Sequence, residues 1–526
     1  MENFNISTID ILILTAYILI IIWWGLKHGK SSDSQSYFLA GRTMPWWIVG
    51  LSLFAASISS TTLIGQSGDA YHTGLAVFNY NLTGIIVMVF FAVCLLPLYI
   101  KSKIFTIPEF LEKRFDKRSR YYFSGICIIG NIFLDAAGAL YAAALIIKLI
   151  FPDADLQMII VVFAVIAASY TIPGGLSSAI NAELIQAVVL IIGSIILTYF
   201  CFRQGGDYFY HLFSNKDLLV TLLRPTNDIA TPWPGIILGM PVLGIYFWAN
   251  NQTLVQRVLS SKNVHEGQKG LMLTGFLTLS TLFIIAIPGL ISRNLFPGLP
   301  KPDMVYPTMV LKLLPVGLIG IMLAALLSAL TSTISAILNS TSTLFTMDFY
   351  AKFNKKADNK TLVRIGKISA IVTIIIAALW APYIGRFGSL LKYYQEMLSY
   401  LSPPIVAAFI MGIFNKRVNG NGAFAGLMAG LAMAVVMLFF KTELFGNMHF
   451  LMIVPILFIF SMIVIYCSSL PFAGPSEKQL SDTLFRWKDL ASESKQLWHK
   501  EKLYRNYQFW AAILLVSCTA IWIIFY

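Results

Sequence analysis

Two polar stretches lie within segments that are otherwise apolar enough to cross a membrane. In the first, between Gly50 and Gly68, five of the six residues from Ser57 to Thr62 carry hydroxyl groups. In the second, polar residues recur near i, i+3, i+4 and i+7 and so form one stripe on a helix: Ser328, Thr331, Ser332, Ser335 and Asn339. Carbonyl oxygens of an unwound first stretch, facing hydroxyls of the second, would supply the hard oxygen ligands that a sodium ion prefers. The alternative is close helix packing, in which Ser and Thr side chains hydrogen-bond between helices.

A further apolar segment is interrupted in the same manner. Gly239, Pro241 and Gly244 break the run that begins at Pro234, and Trp248 and several amide side chains follow. Among the predicted spans this segment is the seventh and the hydroxyl-rich one is the second, so the two stand five apart. Gly- or Pro-broken segments at matching places in two halves are typical of transporters built from inverted repeats. The pairing favours a binding site at the first stretch.

The composition indicates a polytopic membrane protein with no covalent chemistry. Of the 526 residues, 57% are apolar and 12% are charged, against about 25% charged in soluble proteins. The five cysteines and six histidines are dispersed, without metal-ligand spacing or a disulfide framework. We therefore predict no cofactor and no metal site other than one for sodium. The predicted spans also contain no carboxylate pair, histidine cluster or nucleophile constellation, which argues against an enzyme.

Apolar runs long enough to cross the hydrocarbon recur along the whole chain. Fourteen spans are predicted, at about 8–27, 46–66, 77–100, 120–150, 156–171, 178–202, 234–257, 270–292, 308–347, 362–385, 392–414, 420–440, 447–470 and 507–526. Lys and Arg are concentrated in the odd-numbered loops, which predicts that these loops are cytoplasmic and both termini external. This distribution explains the net charge of +13 without nucleic acid as a partner. We expect a plasma-membrane protein that contacts lipid and is a monomer.

Two of the loops have a pattern of their own. The basic, amphipathic segment 105–120 is expected to lie along the inner membrane surface. Residues 471–506 mix both signs of charge with spaced apolar residues, which predicts a helical cytoplasmic segment.

Three sequence motifs resemble the sodium–solute symporter family, and in particular its sodium/sugar cotransporter branch. They are Phe38-LAGRTMPWWIVGLSLFAASIS, Tyr170-TIPGGLSSAINAELIQ and Ser332-TISAILNSTSTLFTMD, and Gln395-EMLSYLSPP and Tyr507-QFWAAILL agree with them. The resemblance covers nearly the whole chain. It implies an all-α protein with a core of two inverted five-helix repeats, two discontinuous helices, one added helix before the core and three after it.

This architecture divides the chain into five parts. Residues 1–45 hold the first helix and a cytoplasmic loop, 46–203 the first repeat, 204–233 an external loop, 234–416 the second repeat, and 417–526 the last three helices with the loop 471–506. The resemblance also implies alternating access, in which one bundle rocks against the other around a central site.

Carried over residue by residue, the family's main sodium site falls on the carbonyls of Ala55, Ile58 and Ala329 and the hydroxyls of Ser332 and Thr333. Family members often have Ser where this chain has Thr333, and the Thr side chain still provides a hydroxyl oxygen as a ligand. Glu183 stands where the family usually has Asp, and an ionisable residue within a span is a functional candidate. It is a candidate for a second cation site, with the alternative that it reaches towards the inner interface.

The family's contacts to sugar hydroxyls match Thr62, Asn81, Thr278 and Gln395, of which only Gln395 keeps the family residue. A glucose site of the familiar kind is therefore not expected, although short polar groups still suit a neutral, hydroxyl-rich solute. The predicted substrate-binding residues are Ser57, Thr61, Thr62, Asn81, Asp135, Phe247, Trp248, Thr278 and Gln395. Phe247 and Trp248 stand where the family stacks an aromatic ring under the substrate; helix packing is the alternative for both.

Asp135 has no counterpart in the family pattern. If it faces the transport path, it repels carboxylates and favours a hydroxyl or an amine; otherwise it pairs with a polar group elsewhere. We interpret the chain as a sodium-coupled symporter that imports a sugar or another neutral, hydroxyl-rich solute. The alternatives are a symporter for sialic acid, an amino acid or a vitamin, and a solute sensor built on a transporter fold.

Overall fold

The chain folds into helices, as its sequence predicts. The structure, a computed structural model, describes residues 7–28, 34–58, 61–151, 153–228, 231–299, 301–387, 390–446, 448–500 and 502–526. Within these ranges every regular element is helical. This confirms the all-α prediction.

The first half of the chain contains α1 (Thr8–His28), α2 (Ser34–Leu39), α3 (Trp46–Ser57), α4 (Gln66–Thr73), α5 (Leu75–Lys101), α6 (Ile107–Arg114), α7 (Lys117–Lys148), α8 (Leu156–Pro173) and α9 (Gly175–Ser214). The second half contains α10 (Trp233–Leu238), α11 (Met240–Ile245), α12 (Gln252–Leu259), α13 (Val264–Leu295), α14 (Val305–Leu313), α15 (Leu318–Phe353), α16 (Asn359–Ile384), α17 (Leu390–Phe414), α18 (Gly420–Phe445), α19 (Phe450–Ser469), α20 (Glu477–Thr483), α21 (Trp487–Lys500) and α22 (Tyr507–Ile524).

Long apolar helices confirm a multi-pass membrane protein. Among the described residues, 11 helices are long and apolar enough to cross a membrane, and one bent pair raises the number to 12. The predicted first span has a shorter apolar part, Thr8–Trp24. The predicted seventh span is divided between α10, α11, a π-helical turn at Tyr246–Asn250 and α12. The count of fourteen spans and the inverted repeat stay predictions.

The predicted break after α3 is present, whereas in the seventh segment the backbone is helical at Gly239, Pro241 and Gly244 and leaves the helical region at Asn251. Helix α3 ends at Ser57, where Ile58 leaves the helical region with φ −82° and ψ 81°. The chain resumes as a helix at an angle of 61° to α3. In the other segment, Asn251 is extended, with φ −71° and ψ 114°, and its side-chain oxygen accepts from the backbone N–H of Thr253 at 2.8 Å. This cap begins α12, because an Asn side chain satisfies an otherwise unpaired amide of the first turn.

The helix that carries the second polar stripe is held at its start by α1. The Asp10 carboxylate accepts from the backbone N–H groups of Gly317 at 2.8 Å and Gly320 at 2.7 Å. An acidic side chain is favourable at this end of a helix because the free amide groups give it a partial positive charge. Asp10 therefore fixes the position of α15 relative to α1.

Helix α6 corrects one prediction. The basic segment 105–120 was expected to lie along the membrane surface, but its apolar residues pack inside the protein. Ile107, Phe110 and Leu111 are fully buried, and the Phe110 ring stacks on that of Phe409 in α17 at 6.0 Å. The helix is amphipathic as predicted, whereas the partner of its apolar face is the helix bundle and not lipid.

A buried ionic cluster joins α6, α7 and α15. The Asp348 carboxylate accepts from Arg120 Nε at 3.0 Å and from Thr106 Oγ1 at 2.6 Å, and it also accepts from Ser124. Arg120 pairs in addition with Glu112, which lies 2.9 Å from Lys352 Nζ. Burial alone would raise the pKa of Glu112, but the hydrogen bonds from Lys352 and Arg120 hold it below its usual value.

The packing of α6, α7 and α15 against one another depends on the Asp348 carboxylate. Asp348→Ala should lower stability by on the order of 3 kcal/mol, because it breaks a buried ion pair and leaves the buried donors of Arg120, Thr106 and Ser124 without their acceptor. Thermal unfolding of the purified protein in detergent measures this. Lys101→Ala, which removes an exposed pair to Asp482 at 3.6 Å, is the control and should shift the midpoint little. Equal midpoints for Asp348→Ala and Lys101→Ala would contradict this role.

Candidate functional site

The break after α3 leaves backbone carbonyl oxygens without helical partners, and a hydroxyl group of α15 lies close to one of them. Ser332 Oγ lies 3.3 Å from the carbonyl oxygen of Ala55 and 3.0 Å from that of Ala329. Thr333 Oγ1 lies 2.8 Å from the same Ala329 oxygen. Four of the five predicted sodium ligands therefore converge. The fifth, Ile58, is the first residue of the break itself.

This cluster has the chemistry of a monovalent-cation site. It combines carbonyl and hydroxyl oxygens and contains no full charge of its own. Ala55, Ala329 and Ser332 are buried, so an ion held there would be largely removed from water. The last turn of a helix has carbonyl oxygens without intrahelical partners, which makes those at the end of α3 available as ligands.

The neighbouring hydroxyls of α15 divide between two tasks. Ser335 Oγ accepts from Thr171 Oγ1 at 2.7 Å, and Thr331 Oγ1 accepts from Gln186 Nε2 at 3.2 Å. These contacts join α15 to α8 and α9 and are helix packing, the alternative that the sequence left open. Ser332 and Thr333 face the break instead. The side chain of Ser328 lies outside the described residues.

A central cavity of ≈ 110 Å³ lies beside the same break. Its walls come from α4, α5, α11, α13, α17 and the two broken segments. Seven of the predicted substrate residues line it: Ser57, Thr62, Asn81, Phe247, Trp248, Thr278 and Gln395. The side chain of Thr61 lies outside the described residues.

The polar wall of this cavity is organised around Asn81. Its Nδ2 donates to Thr281 Oγ1 at 2.7 Å, and its Oδ1 accepts from Gln66 Nε2 at 2.5 Å. Thr281 donates in turn to the backbone oxygen of Thr278 at 2.6 Å. Gln66 was missed by the sequence analysis, although it lies one helical turn beyond Thr62 and on the same face. Tyr80 and Tyr394 also line the cavity and were not predicted.

The Thr278 hydroxyl is the unused hydrogen-bonding group of this wall. It is buried and has no partner in the part of the chain that the structure describes. An unpaired buried hydroxyl is costly, so a group of this kind beside a cavity is well suited to a bound solute. Trp248 is a packing residue at least in part, because its indole lies against Gly84, where an added Cβ would come within 2.6 Å of Nε1.

Asp135 lies in a second, smaller cavity and not in the wall of the central one. This inner cavity, of ≈ 50 Å³, is lined by Asp135, Thr253, Asn251 and Thr333 among others. Ser57, Phe247 and Tyr394 border both cavities. Tyr394 and Asp135 both line this inner cavity. The predicted contact of Asp135 with substrate therefore stays a prediction.

Glu183 has a protein partner. Its carboxylate is paired with Arg257 of α12, with Nε at 3.0 Å, and also accepts from Ser52 Oγ at 2.5 Å. All three side chains are fully buried. Arg257 is the last residue of the predicted span 234–257, and the sequence analysis did not anticipate this pair. Glu183 as a cation ligand stays a prediction, and the ion pair gives it a structural role between α9 and α12.

Comparison with known proteins decides the family. The model of the sodium:solute symporter family matches residues 37–430. The chain belongs to this family. Sodium/glucose cotransporter 1 of Ovis aries is 32% identical over 88% of this chain and 78% of its own length. Sodium/myo-inositol cotransporter 2 of Homo sapiens is 34% identical over 82% of this chain and 69% of its own.

Solved structures agree on the fold. A sodium-coupled sialic acid symporter in a substrate-bound, outward-open state superposes with a TM-score of 0.80 at 23% identity, over 90% of this symporter and 100% of that chain. A nucleobase-cation-symport-1 family transporter superposes with a TM-score of 0.59 at 14% identity, over 85% and 97%. At these identities the likeness concerns the arrangement of helices alone. The relatives are transporters, which supports a transporter in place of an enzyme.

The unpaired Thr278 hydroxyl allows a clean test of the central cavity. Thr278→Val keeps the shape and breaks no hydrogen bond of that hydroxyl within the described residues, so thermal stability should be unchanged or slightly raised. The apparent affinity for the transported solute should fall by about threefold to tenfold, since one hydrogen bond is worth about 0.5–1.5 kcal/mol. Uptake kinetics in proteoliposomes measure the affinity.

Thr281→Val is the matched comparison, because it removes the hydroxyl that holds Asn81. It should lower both stability and solute affinity. An unchanged solute affinity in Thr278→Val would mean that the solute does not reach this wall.

Proposed function

We propose that the chain is a sodium-coupled symporter that imports a neutral, hydroxyl-rich solute, with sugars and polyols as the foremost class. One observation carries the proposal: the broken segment between α3 and α4 borders both the oxygen cluster of Ala55, Ser332 and Thr333 and the central cavity. An ion in the cluster and a solute in the cavity would contact the same few residues of backbone. Binding of one therefore changes the free energy of binding the other.

The cavity wall supports a neutral solute. Its polar side chains are amides, hydroxyls, two phenols and an indole, and none of the described residues that line it is basic. A carboxylate such as that of sialic acid would lack a cationic partner there, and burying an unpaired charge is costly. The amides of Gln66, Asn81 and Gln395 offer both donors and acceptors, as hydroxyl groups require.

The membrane arrangement completes the proposal. We place the odd-numbered loops and the α12 end of the inner cavity on the cytoplasmic side, with both termini external, because of the distribution of Lys and Arg. The two five-helix repeats are assigned to 46–203 and 234–416, and sodium is the coupling ion.

The solute class can be tested directly with purified protein. Sugars, polyols, amino sugars, amino acids and sialic acid are screened by thermal shift, each in sodium and in potassium. A neutral sugar or polyol should stabilise the protein in sodium and much less in potassium, by the linkage of binding to stability. Stabilisation by sialic acid or an amino acid, with none by neutral solutes, would contradict the proposed class while leaving sodium coupling intact.

Sodium coupling itself depends on two hydroxyls. Ser332→Ala combined with Thr333→Ala should abolish sodium-driven uptake in proteoliposomes, while expression and folding stay largely intact, because both side-chain ligands are lost. Thr333→Ser keeps the oxygen and should retain coupling. Uptake by the double variant that still responds fully to a sodium gradient would refute the assignment.

A further inference from the structure

A large cleft lies away from the transport path, where α3, α13 and α22 begin. It has a volume of ≈ 730 Å³ and shares no lining residue with the central or the inner cavity. One turn further along, the three helices are in close contact. Thr274 Oγ1 donates to the Gly50 carbonyl at 3.1 Å, and a Cβ added at Gly275 would come within 2.8 Å of Leu514. The cleft is therefore confined to the first turns of these helices.

The cleft is placed at the inner face of the membrane. Each of the three helices follows a loop that the distribution of Lys and Arg predicts to be cytoplasmic. A gap between membrane helices at this level is next to the headgroups of the inner leaflet.

The wall of the cleft is apolar and aromatic. Met272, Leu273, Phe276 and Trp510 line it, and the Phe276 ring meets the Trp510 ring edge to face at 5.7 Å. Tyr504 is 58% exposed, and its carbonyl oxygen accepts from Trp510 Nε1 at 2.9 Å. Exposed Trp and Tyr side chains are enriched at the level of lipid headgroups. The wall therefore suits an acyl chain, and the aromatic rim suits the boundary between chain and headgroup.

Two cations lie at the same cleft without an acidic partner. Lys269 and Arg505 line it, and neither has an ion pair within the part of the chain that the structure describes. The Arg505 guanidinium lies 5.6 Å from the centre of the Tyr504 ring. The carboxylate among the described lining residues, Glu266, accepts from the backbone N–H of Trp46 at 2.7 Å and so caps α3. Basic pockets between membrane helices on the cytoplasmic side are typical sites for anionic lipid headgroups.

From this combination we infer that the cleft binds one anionic phospholipid of the inner leaflet. Lys269 and Arg505 pair with its phosphate, and an acyl chain lies along Phe276 and Trp510. A zwitterionic lipid brings no net charge to the two cations, and a free phosphate leaves the apolar wall uncovered. Because α3 leads from this cleft to the break at Ser57, the lipid stabilises the packing of a helix that forms the ion and solute sites.

Native mass spectrometry of the purified, full-length protein tests the inference, with phosphatidylglycerol and phosphatidylcholine of identical chains as probes. The wild type should bind phosphatidylglycerol about tenfold more tightly or better. Lys269→Gln and Arg505→Gln should each weaken phosphatidylglycerol binding by about fivefold, as expected for one basic residue near an anionic surface. The combined variant should bind the two lipids alike. Equal binding of both lipids by the wild type would overturn the site, and so would displacement of the lipid by excess glycerol phosphate.

Two lysines that do not line the cleft provide the matched control. Lys262 and Lys502 are exposed and precede Lys269 and Arg505 by a few residues, so Lys262→Gln combined with Lys502→Gln removes the same charge. This control should keep the preference for phosphatidylglycerol. An equal loss in the control and in the cleft variant would mean general attraction to the surface and would also overturn the site.

Thermal unfolding in detergent gives a second readout that depends on folding. Phosphatidylglycerol should raise the midpoint of the wild type and of the control but not that of the combined cleft variant, by the linkage of binding to stability. Without lipid all three proteins should unfold at the same temperature, because the exchanged side chains form no ion pair. A midpoint of the cleft variant that rises with the lipid as in the wild type would contradict the inference. The assays need neither sodium nor solute, so their failure leaves the proposed function intact.

Discussion

The structure depends on the requirement that backbone groups inside a membrane be satisfied within the protein. At Ser57 the helix α3 ends within a bent pair of apolar helices that together are long enough to cross a membrane, and its last carbonyls lose their intrahelical partners. Irregular backbone at that depth is tolerated only when buried in protein or lining a cavity. Here the Thr62 hydroxyl donates to the Ser57 carbonyl at 3.0 Å, and Ser332 reaches Ala55. The break is thus stabilised by two hydroxyls, of which that of Ser332 is also a candidate ion ligand.

This arrangement accounts for coupling without a long-range pathway. The oxygen cluster, the central cavity and the inner cavity all share residues of the break or of its neighbours, with Ser57, Phe247 and Tyr394 bordering both cavities. If a bound ion orders the backbone at the break, the solute binds with a smaller entropic cost. By thermodynamic reciprocity, a bound solute lowers the cost of binding the ion in the same way. The rigid parts around it are fixed by buried charges: Asp10 at the start of α15, Asp348 at its end, and the pair of Glu183 with Arg257.

The sequence predicted the helical class and the break after α3, because hydroxyls and glycines clustered within apolar segments serve either ligand binding or close helix packing. The set Ala55, Ala329, Ser332 and Thr333 came from the family resemblance. Most of the central cavity was predicted through family resemblance, which transfers positions even where the residue types differ. Sequence reasoning missed three residues of the central site: Gln66, Tyr394 and Thr281. The wall of the cavity is built from spans that are far apart in the chain, and the sequence of one span does not specify which of its faces points into the cavity. Asp135 lines the inner cavity, which shares Ser57, Phe247 and Tyr394 with the central one, and its contact with the solute stays a prediction. The Glu183–Arg257 pair was missed because Arg257 stood at the boundary of the predicted span 234–257. The amphipathic helix α6 was assigned to lipid because an amphipathic pattern does not show whether the apolar face packs on lipid or on other helices.

The central claim is that ion and solute bind beside the same break after α3. The most direct measurement is a pair of binding titrations on the purified protein: the solute identified by screening is titrated with and without saturating sodium, and sodium with and without saturating solute. The account predicts that each ligand increases the affinity for the other, and by the same factor, since the coupling free energy is reciprocal. Solute binding that is equally tight in sodium and in potassium would contradict it.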